Sequence, residues 1–475
     1  MRITRRRALQ GLSATAAVAG LGQFGAASAG CLPSPSVPPD LLTLARSRVQ
    51  TLVVVMMENR SFDHAFGSFS LVEGRADIDG LRDGMGNRTV AGELLVPSAA
   101  DVSCVADPPH GWAASHRQFN GGACDGFVVE YERAAGVGAP HRCLDYLPRA
   151  LQPTSFALAE QFALCQRWYA SAMGPTWPNR YHLLAATSHG IQNNSFIGRP
   201  VDSIFTRLDQ AKIPWGNTYG NIPFAIVLDG MSIDFPEMNR YEGFFTRAAA
   251  GTLRPVEIID PIYGRNDDHP PAHPLAGQIF LQSIYEALRT SPQWERSMMV
   301  VTYDEHGGFH DHVAPPIIQD DYAAEGFDQL GFRVPGYVVG PFVKNEVSDV
   351  QFDHASVYAT IAALHGLAPI GTRDRNANTL LALLDEDLMR ADAPRPAPAL
   401  PAVVVDEAEV FADECRGVAF HGNIPDVGAI TGQAELERLY VGRFANAARG
   451  LRADTDGTFK DLMAHAKSQG VWRQG

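Results

Sequence analysis

The sequence is short of positive charge. Its 39 Lys and Arg stand against 53 Asp and Glu, a formal net charge of −14 at pH 7. That balance excludes binding to nucleic acid through a general basic surface. It also gives no electrostatic pull toward anionic lipid. No two of the six cysteines (Cys31, Cys104, Cys124, Cys143, Cys165, Cys415) are spaced C-x-x-C, which argues against zinc ribbons and thioredoxin chemistry. No apolar run reaches the roughly 20 residues that a membrane helix needs, and there is no internal repeat. The composition, 45% apolar and 19% charged, excludes a disordered chain, a collagen and a coiled coil. A globular protein of 475 residues is left, with 32 Pro and 44 Gly that predict long structured loops. That length suits two or three domains, or one large α/β domain with insertions.

The first residues read as an address. Thr4-Arg5-Arg6-Arg7 precedes a Gly/Ala-rich apolar stretch, Gly11 to Ala27, and the small-x-small pattern Ala27-Ser28-Ala29. This predicts a twin-arginine signal over residues 1–29 and export to the periplasm or beyond. That route carries folded proteins, which suits an enzyme loaded with metal before export. In an oxidising compartment the four cysteines between 104 and 165 are candidates to staple loops, with their pairing open. Buried free thiols are the equal alternative for any one of them.

Three Val-rich runs, Thr51–Met57, Met298–Tyr303 and Gly336–Val343, read as strands buried in a parallel sheet. Ile213–Thr218, Phe224–Leu228 and Trp168–Met173 are shorter strand candidates. Helices are expected at Phe156–Ala170, Asn179–Ser188, Gly277–Arg289 and Ser356–Leu364. Residues 68–150 read as loops over one end of the sheet. The Pro-rich stretch 393–401 reads as a linker to a helical tail. Together these predict a three-layer α/β/α sandwich with a mostly parallel central sheet, spanning residues 30–392, with 393–475 as linker and tail. Ligands of such folds bind at the carboxyl ends of the strands.

The first of these strands ends in Glu58-Asn59 and, a little later, Asp63. The second ends in Asp304-Glu305. Adjacent carboxylates at a strand end need a cation or must take up a proton, and oxygen ligands gathered from two strand ends suit a divalent metal. Solvated surface turns are the plain alternative. Thr176 sits at a strand-to-helix junction in Gly174-Pro175-Thr176-Trp177-Pro178-Asn179-Arg180. There its hydroxyl either caps the helix or, with its pKa lowered by a metal, attacks phosphorus beside free N–H groups. Histidines fall in polar loops: His110 and His116, His269 and His273, and His354. A lone loop histidine is usually solvated. Several near one metal would bind phosphate or protonate a leaving group.

The motifs ENRSFDHAFG (58–67), DPPHGW with DGF (107–127), GPTWPNR (174–180), NDDHPPAH (266–273), the run to DEHGGFHDHVAPP (291–316) and FDHAS (352–356) lie in order over about residues 50–370. In these the chain resembles the bacterial phosphoesterase family of phosphatidylcholine-hydrolysing phospholipases C and acid phosphatases, with the plant non-specific phospholipases C. The resemblance implies an alkaline-phosphatase-like fold. It implies Glu58, Asn59, Asp304, Glu305 and Thr176 as ligands of one divalent ion (Ca, Zn, Mg or Mn), with Thr176 also the nucleophile. His110, His273 and His354 would bind phosphate or donate protons, and Asn179, Arg180 and His269 would contact substrate. The implied substrate is a phospholipid or a small phosphate ester. Acid phosphatases of the family tend to carry Ser where Thr176 stands, which tilts the reading toward a phospholipase. The extra C-terminal β domains of larger family members are missing here, which leaves soluble esters as an alternative. A sulfatase would want Cys or Ser at position 176. A non-catalytic exported binding protein with a structural metal is the reading from another class.

Overall fold

The structure is a computed structural model and describes residues 38–417 and 455–475. The twin-arginine stretch, Cys31 and part of the expected helical tail lie outside the described residues.

Eight strands form the central sheet: β1 (Thr51–Met57), β2 (Ala163–Cys165), β3 (Trp215–Thr218), β4 (Met238–Asn239), β5 (Val256–Ile259), β6 (Ser297–Tyr303), β7 (Gly336–Val339) and β8 (Val347–Ser348). Their order across the sheet is β8-β2-β7-β6-β1-β5-β3-β4. Only β7 runs against its neighbours, β2 and β6. Every residue of β1 and β6 is buried, as expected of Val-rich strands covered on both faces. Eight of the helices fall into two packed groups. Pro153–Gln161, Tyr241–Ala250, Thr455–Ser468 and Pro274–Arg289 form one; Pro39–Arg48, Thr176–Ala185, Ile204–Ala211 and Ala355–His365 form the other. The result is the α/β sandwich that the alternation of Val-rich runs and helices predicts.

Local differences have physical causes. The helix from Pro153 stops at Gln161 and gives way to β2. Trp168 and Tyr169 make isolated bridges only. Phe224–Val227 is a 3₁₀ turn, not a strand; its first N–H donates to the buried carboxylate of Asp260 at 3.2 Å. An apolar run that short carries no period by which to tell strand from turn.

The Pro-rich stretch is not a free linker. Prolines offer carbonyls but no N–H, and helix side chains donate to them here. Tyr285 Oη donates to Pro398 O at 2.6 Å and Gln282 Nε2 to Pro401 O at 3.1 Å. Beyond it, Val403–Val405 pairs in parallel with Trp472–Gln474. Phe459, Leu462, Met463 and Trp472 join the main hydrophobic core. Cys104 is bonded to Cys415, while Cys124, Cys143 and Cys165 are buried thiols. The cysteines between 104 and 165 therefore do not pair with one another.

His182 provides a pH-sensitive point in this core. It is 1% exposed, and its Nδ1–H donates to Pro178 O at 2.8 Å. Burial, with Arg373 adding to it, pushes its pKa down to about 3. In the unfolded chain it takes up a proton below about pH 6.5. Its share of stability is therefore complete above that pH and lost as pH falls toward 3, at about 2 kcal/mol by pH 5. Denaturant unfolding at pH 7.5 and pH 5 should show a drop smaller by about 2 kcal/mol in His182→Gln than in wild type. Equal drops would count against this account.

Candidate active site

β1 and β6 are paired in register to their last residues, Met57 opposite Tyr303. Whatever follows them must emerge side by side. Asp304 N donates to Met57 O at 3.1 Å, and Asp304 Oδ1 accepts from the N–H of Asn59 at 3.1 Å and of Glu305 at 2.7 Å. Asn59 adopts a left-handed backbone, φ 57°, which Asn tolerates better than most residues. Gly307 lies so close that a Cβ there would sit 2.2 Å from Asn59 O, and one on Gly308 would sit 2.6 Å from Pro109 O. Both glycines have positive φ. The two glycines of DEHGG thus let three segments, 58–60, 107–110 and 304–308, close on one another.

Charge is concentrated here. Glu58, Asp304 and Glu305 are buried, and burial pushes all three above the usual carboxylate range. Arg180, from the helix Thr176–Ala185, lies 3.3 Å from Glu58 Oε1 and 3.1 Å from Asp304 Oδ2. On the other side stands His110. Its Nδ1–H donates to Pro108 O at 2.8 Å, and Asp107 Oδ1 lies 3.3 Å from the same nitrogen. Burial works against a charge on His110, but the Asp107 and Glu305 carboxylates together lift it well above the usual imidazole range. At Nε2, Asn59 Nδ2 stands at 3.3 Å, a donor that suits the neutral ring. Glu305 Oε1 at 3.5 Å suits the charged one. That nitrogen is placed to take or release a proton. His269 packs edge-on against His110, ring centres 5.8 Å apart.

Glu58, Asn59, Asp304, Glu305, His110, Arg180, His269 and His354 are therefore joined through direct contacts, but two of them, Arg180 and His354, and Asn179 outside the group make contacts different from those expected. Arg180 is 2% exposed and turns its donors to Asp304, Tyr263, Met56 O and Met57 O. It is the counter-ion of the carboxylates rather than a substrate contact. Asn179 binds backbone only: Ala172 N and the carbonyls of Ala172, Gly174 and Pro175, at 2.8–3.2 Å. It holds the loop before Thr176. His354 donates from Nε2 to Asp304 O at 2.6 Å and accepts from Trp168 Nε1 at 3.3 Å. With both nitrogens committed and burial pushing its pKa down to about 4, it is a neutral prop for Asp304.

Thr176 and His273 each begin a helix. Thr176 is buried and its Oγ1 has no hydrogen-bond partner, so it does not cap its helix. His273 Nδ1 accepts from Leu275 N at 3.1 Å. Its proton is thus on Nε2, which is buried and free of partners.

Among the described residues, the groups of three that bring ligand atoms within 4.8 Å of one another are Asp107, His110 and His269, and Asp63, Asp311 and His312; Glu58, Asp304 and Glu305 do not close up that far. The second was overlooked as a unit in the sequence, because the residue that organises it is remote. Arg333 reaches Asp63 at 3.0 Å and Asp311 at 2.9 Å. Asp267 was also missed; burial pushes it up to about 7, and its carbonyl accepts from Glu58 N at 2.8 Å. In chemical type, the donors expected from sequence suit a divalent cation. Glu58 Oε2, Asn59 Oδ1, Thr176 Oγ1 and Glu305 Oε1 are buried oxygens without a hydrogen-bond partner. Crowded carboxylates of raised pKa are relieved by a cation.

Buried carboxylates at the carboxyl end of a mostly parallel sheet, in contact with His110 and with the helix that bears a buried free hydroxyl, describe a hydrolytic centre for an anionic ester. The chain matches the Phosphoesterase family over residues 49–368. It belongs to that family and is a phosphoric ester hydrolase. It is 32% identical over 362 residues to non-specific phospholipase C1 of Arabidopsis thaliana, covering 67% of each chain. It is 29% identical over 385 residues to phospholipase C A of Mycobacterium tuberculosis strain ATCC 25618 / H37Rv, covering 67% of this chain and 73% of that one. Among solved structures, a protein of the alkaline phosphatase superfamily from Vibrio parahaemolyticus is 10% identical, with a TM-score of 0.35 over 71% of this chain and 77% of that one. A likeness that low carries no argument.

Removing one partner of a buried ion pair leaves the others uncompensated. Arg180→Met should lower unfolding free energy by about 3–5 kcal/mol, measured by denaturant titration with a chelator present. A change below about 1 kcal/mol, the size typical of an exposed pair, would show that Arg180 is not the counter-ion.

Proposed function

We propose that this chain is an exported, metal-dependent phospholipase C that works through a phospho-threonine at Thr176. The observation that carries this is the Thr176 hydroxyl. It is 2% exposed, unpartnered, and on the first residue of a ten-residue helix, where free N–H groups favour an anion. A buried hydroxyl without a partner costs stability, and binding phosphate there would relieve that cost. The relatives named as phospholipases C support a phosphodiester substrate.

Glu58, Asn59, Asp304, Glu305 and Thr176 would hold the ion, whose Lewis acidity lowers the pKa of the hydroxyl and offsets phosphoryl charge. His273, with its proton on Nε2, donates to a phosphoryl oxygen in its neutral form, since burial pushes its pKa down to about 4. Thr176 Oγ, its proton already released to solvent, attacks phosphorus in line as the alkoxide, the bond to the glycerol oxygen breaks, and the alkoxide is recovered when the phospho-threonine is hydrolysed. His110 gives its Nε2 proton to the leaving alcohol, with Asp107 fixing the ring through Nδ1. Water then attacks the phospho-threonine, returns a proton to His110 and frees the phosphorylated head group. His269, beside Asp107, keeps that pair in place. Export through the twin-arginine route accords with residues 1–29 and with the Cys104–Cys415 bond, which an oxidising compartment favours. The catalytic body is proposed to run over residues 30–392, with 393–475 as linker and tail, of which 393–417 and 455–475 pack on it.

The test is product analysis on phosphatidylcholine micelles beside a soluble phosphomonoester. Diacylglycerol and phosphocholine are expected, lost on chelation and restored by added metal. Thr176→Ala should lose about 10³-fold or more in kcat, with Thr176→Ser partly active. Phosphate from the monoester alone would make this an acid phosphatase, and an active Thr176→Ala would remove the nucleophile.

A further inference from the structure

The loop carrying Asp107 and His110 is weakly held on its N-terminal side. Among the described residues, 102–106 make no backbone hydrogen bond. Val105 is buried against the body, and the covalent tie from this stretch to the rest of the chain is the bond from Cys104 to Cys415, 311 residues away. From residue 107 onward the loop is well anchored: Gln118 Nε2 donates to Pro109 O at 2.7 Å and Ser115 Oγ to His110 O at 2.9 Å.

At the other end of the bond, Cys415 is buried. Two residues on, Gly417 N donates to Gly264 O at 3.1 Å. Gly264 begins the loop that carries Asp267, Asp268 and His269. Arg265 of the same loop is buried. Its Nε donates to Asp456 Oδ1 at 2.9 Å, and its guanidinium lies 5.7 Å from the ring centre of Phe459. Arg416 Nη2 reaches the other Asp456 oxygen at 2.5 Å. One short assembly, Cys415 to Gly417 with the start of the helix Thr455–Ser468, therefore grips two loops at once. The Asp107–His110 loop is gripped through sulfur, and the Asp267–His269 loop through a hydrogen bond and a shared carboxylate. The gripped loops meet at the site, where Asp107 Oδ2 stands 3.9 Å from His269 Nε2 and Asp107 Oδ1 3.3 Å from His110 Nδ1.

We propose that the Cys104–Cys415 disulfide is a positioning element of the active site: it sets the Asp107–His110 loop against the His269 loop, so full activity requires the oxidised bond. This rests on the reading of Asp107, His110 and His269 as part of the site. Opening the bond takes two electrons and two protons and leaves a thiol on each cysteine. Dithiothreitol supplies both and becomes its own cyclic disulfide. Cys124, Cys143 and Cys165 are already thiols and are unchanged by it.

The experiment compares the mature protein before and after dithiothreitol, with peptide mapping of alkylated Cys104 and Cys415 to prove that the bond is open. Kinetics on a soluble phosphodiester and a soluble phosphomonoester are read beside amide exchange. Reduction should lower kcat about tenfold, the size expected for a modest displacement of catalytic groups, at a temperature where circular dichroism is unchanged. Reoxidation should restore it. Cys415→Ser should resemble the reduced protein and ignore the reductant. The hydrogen-bonded amide of Ser115, which donates to Gly111 O at the end of the first loop, and those of 264–266 and 269 should exchange at least about tenfold faster, while β1 keeps its protection. If both substrates are inert in every form, the phosphoesterase chemistry fails, and the exchange data alone decide the positioning. An opened bond with kcat and both loops unchanged would overturn the proposal. So would a uniform loss of protection through β1, which would make the bond a general staple.

Discussion

Glu58, Asp267, Asp304 and Glu305 are all buried at the carboxyl end of the sheet, and Arg180 is the cation that lies against two of them. Two like charges 4 Å apart repel by about 4 kcal/mol at an effective dielectric of 20, so four of them cannot share a dry site unaided. Much of the surrounding architecture serves that constraint. The register of β1 with β6 forces the carboxylates together. The helix Thr176–Ala185 must lie where its second turn brings a guanidinium to them. Its first residue, Thr176, is thereby held at the same end of the sheet, and the loop before it is held by Asn179. The carboxylates still titrate high, which is the unbalanced charge that a divalent ion would settle.

Much of this was legible because it is local. Val-rich runs announce buried strands, and residues that follow such strands land at the binding edge of an α/β sheet. Glu58, Asn59, Asp304 and Glu305 could therefore be picked out before any contact was known. What could not be read depends on distant partners. Nothing near Arg180 says that its donors face inward, toward Asp304 and the carbonyls of β1. Nothing near His354 says that its two nitrogens are taken by Asp304 and Trp168. Asn179 looks like a polar residue on a helix start, yet backbone four to seven residues upstream uses its whole amide. The turn at Phe224 escaped for another reason: four apolar residues fit strand and turn equally well.

The histidines separate by the same logic. His110 and His273 keep a nitrogen uncommitted, His110 Nε2 between two competing neighbours and His273 Nε2 buried with none. His182 and His354 are enclosed and neutral, and serve packing. The loops of His110, His273 and His354 look alike in sequence, and His182 lies within a helix. Burial and the second ring nitrogen decide between proton chemistry and support.

The bond between Cys104 and Cys415 also has a topological meaning. Seven of the eight sheet strands lie between its ends, so the chain from 104 to 415 is a covalent ring, and β1, threaded between β5 and β6 from outside that ring, belongs to the open N-terminal arm. The ring cannot close until residue 415 has been made. A closed ring is thus a certificate that synthesis had passed residue 415. A single later cut in any surface loop within it would leave both pieces in one molecule.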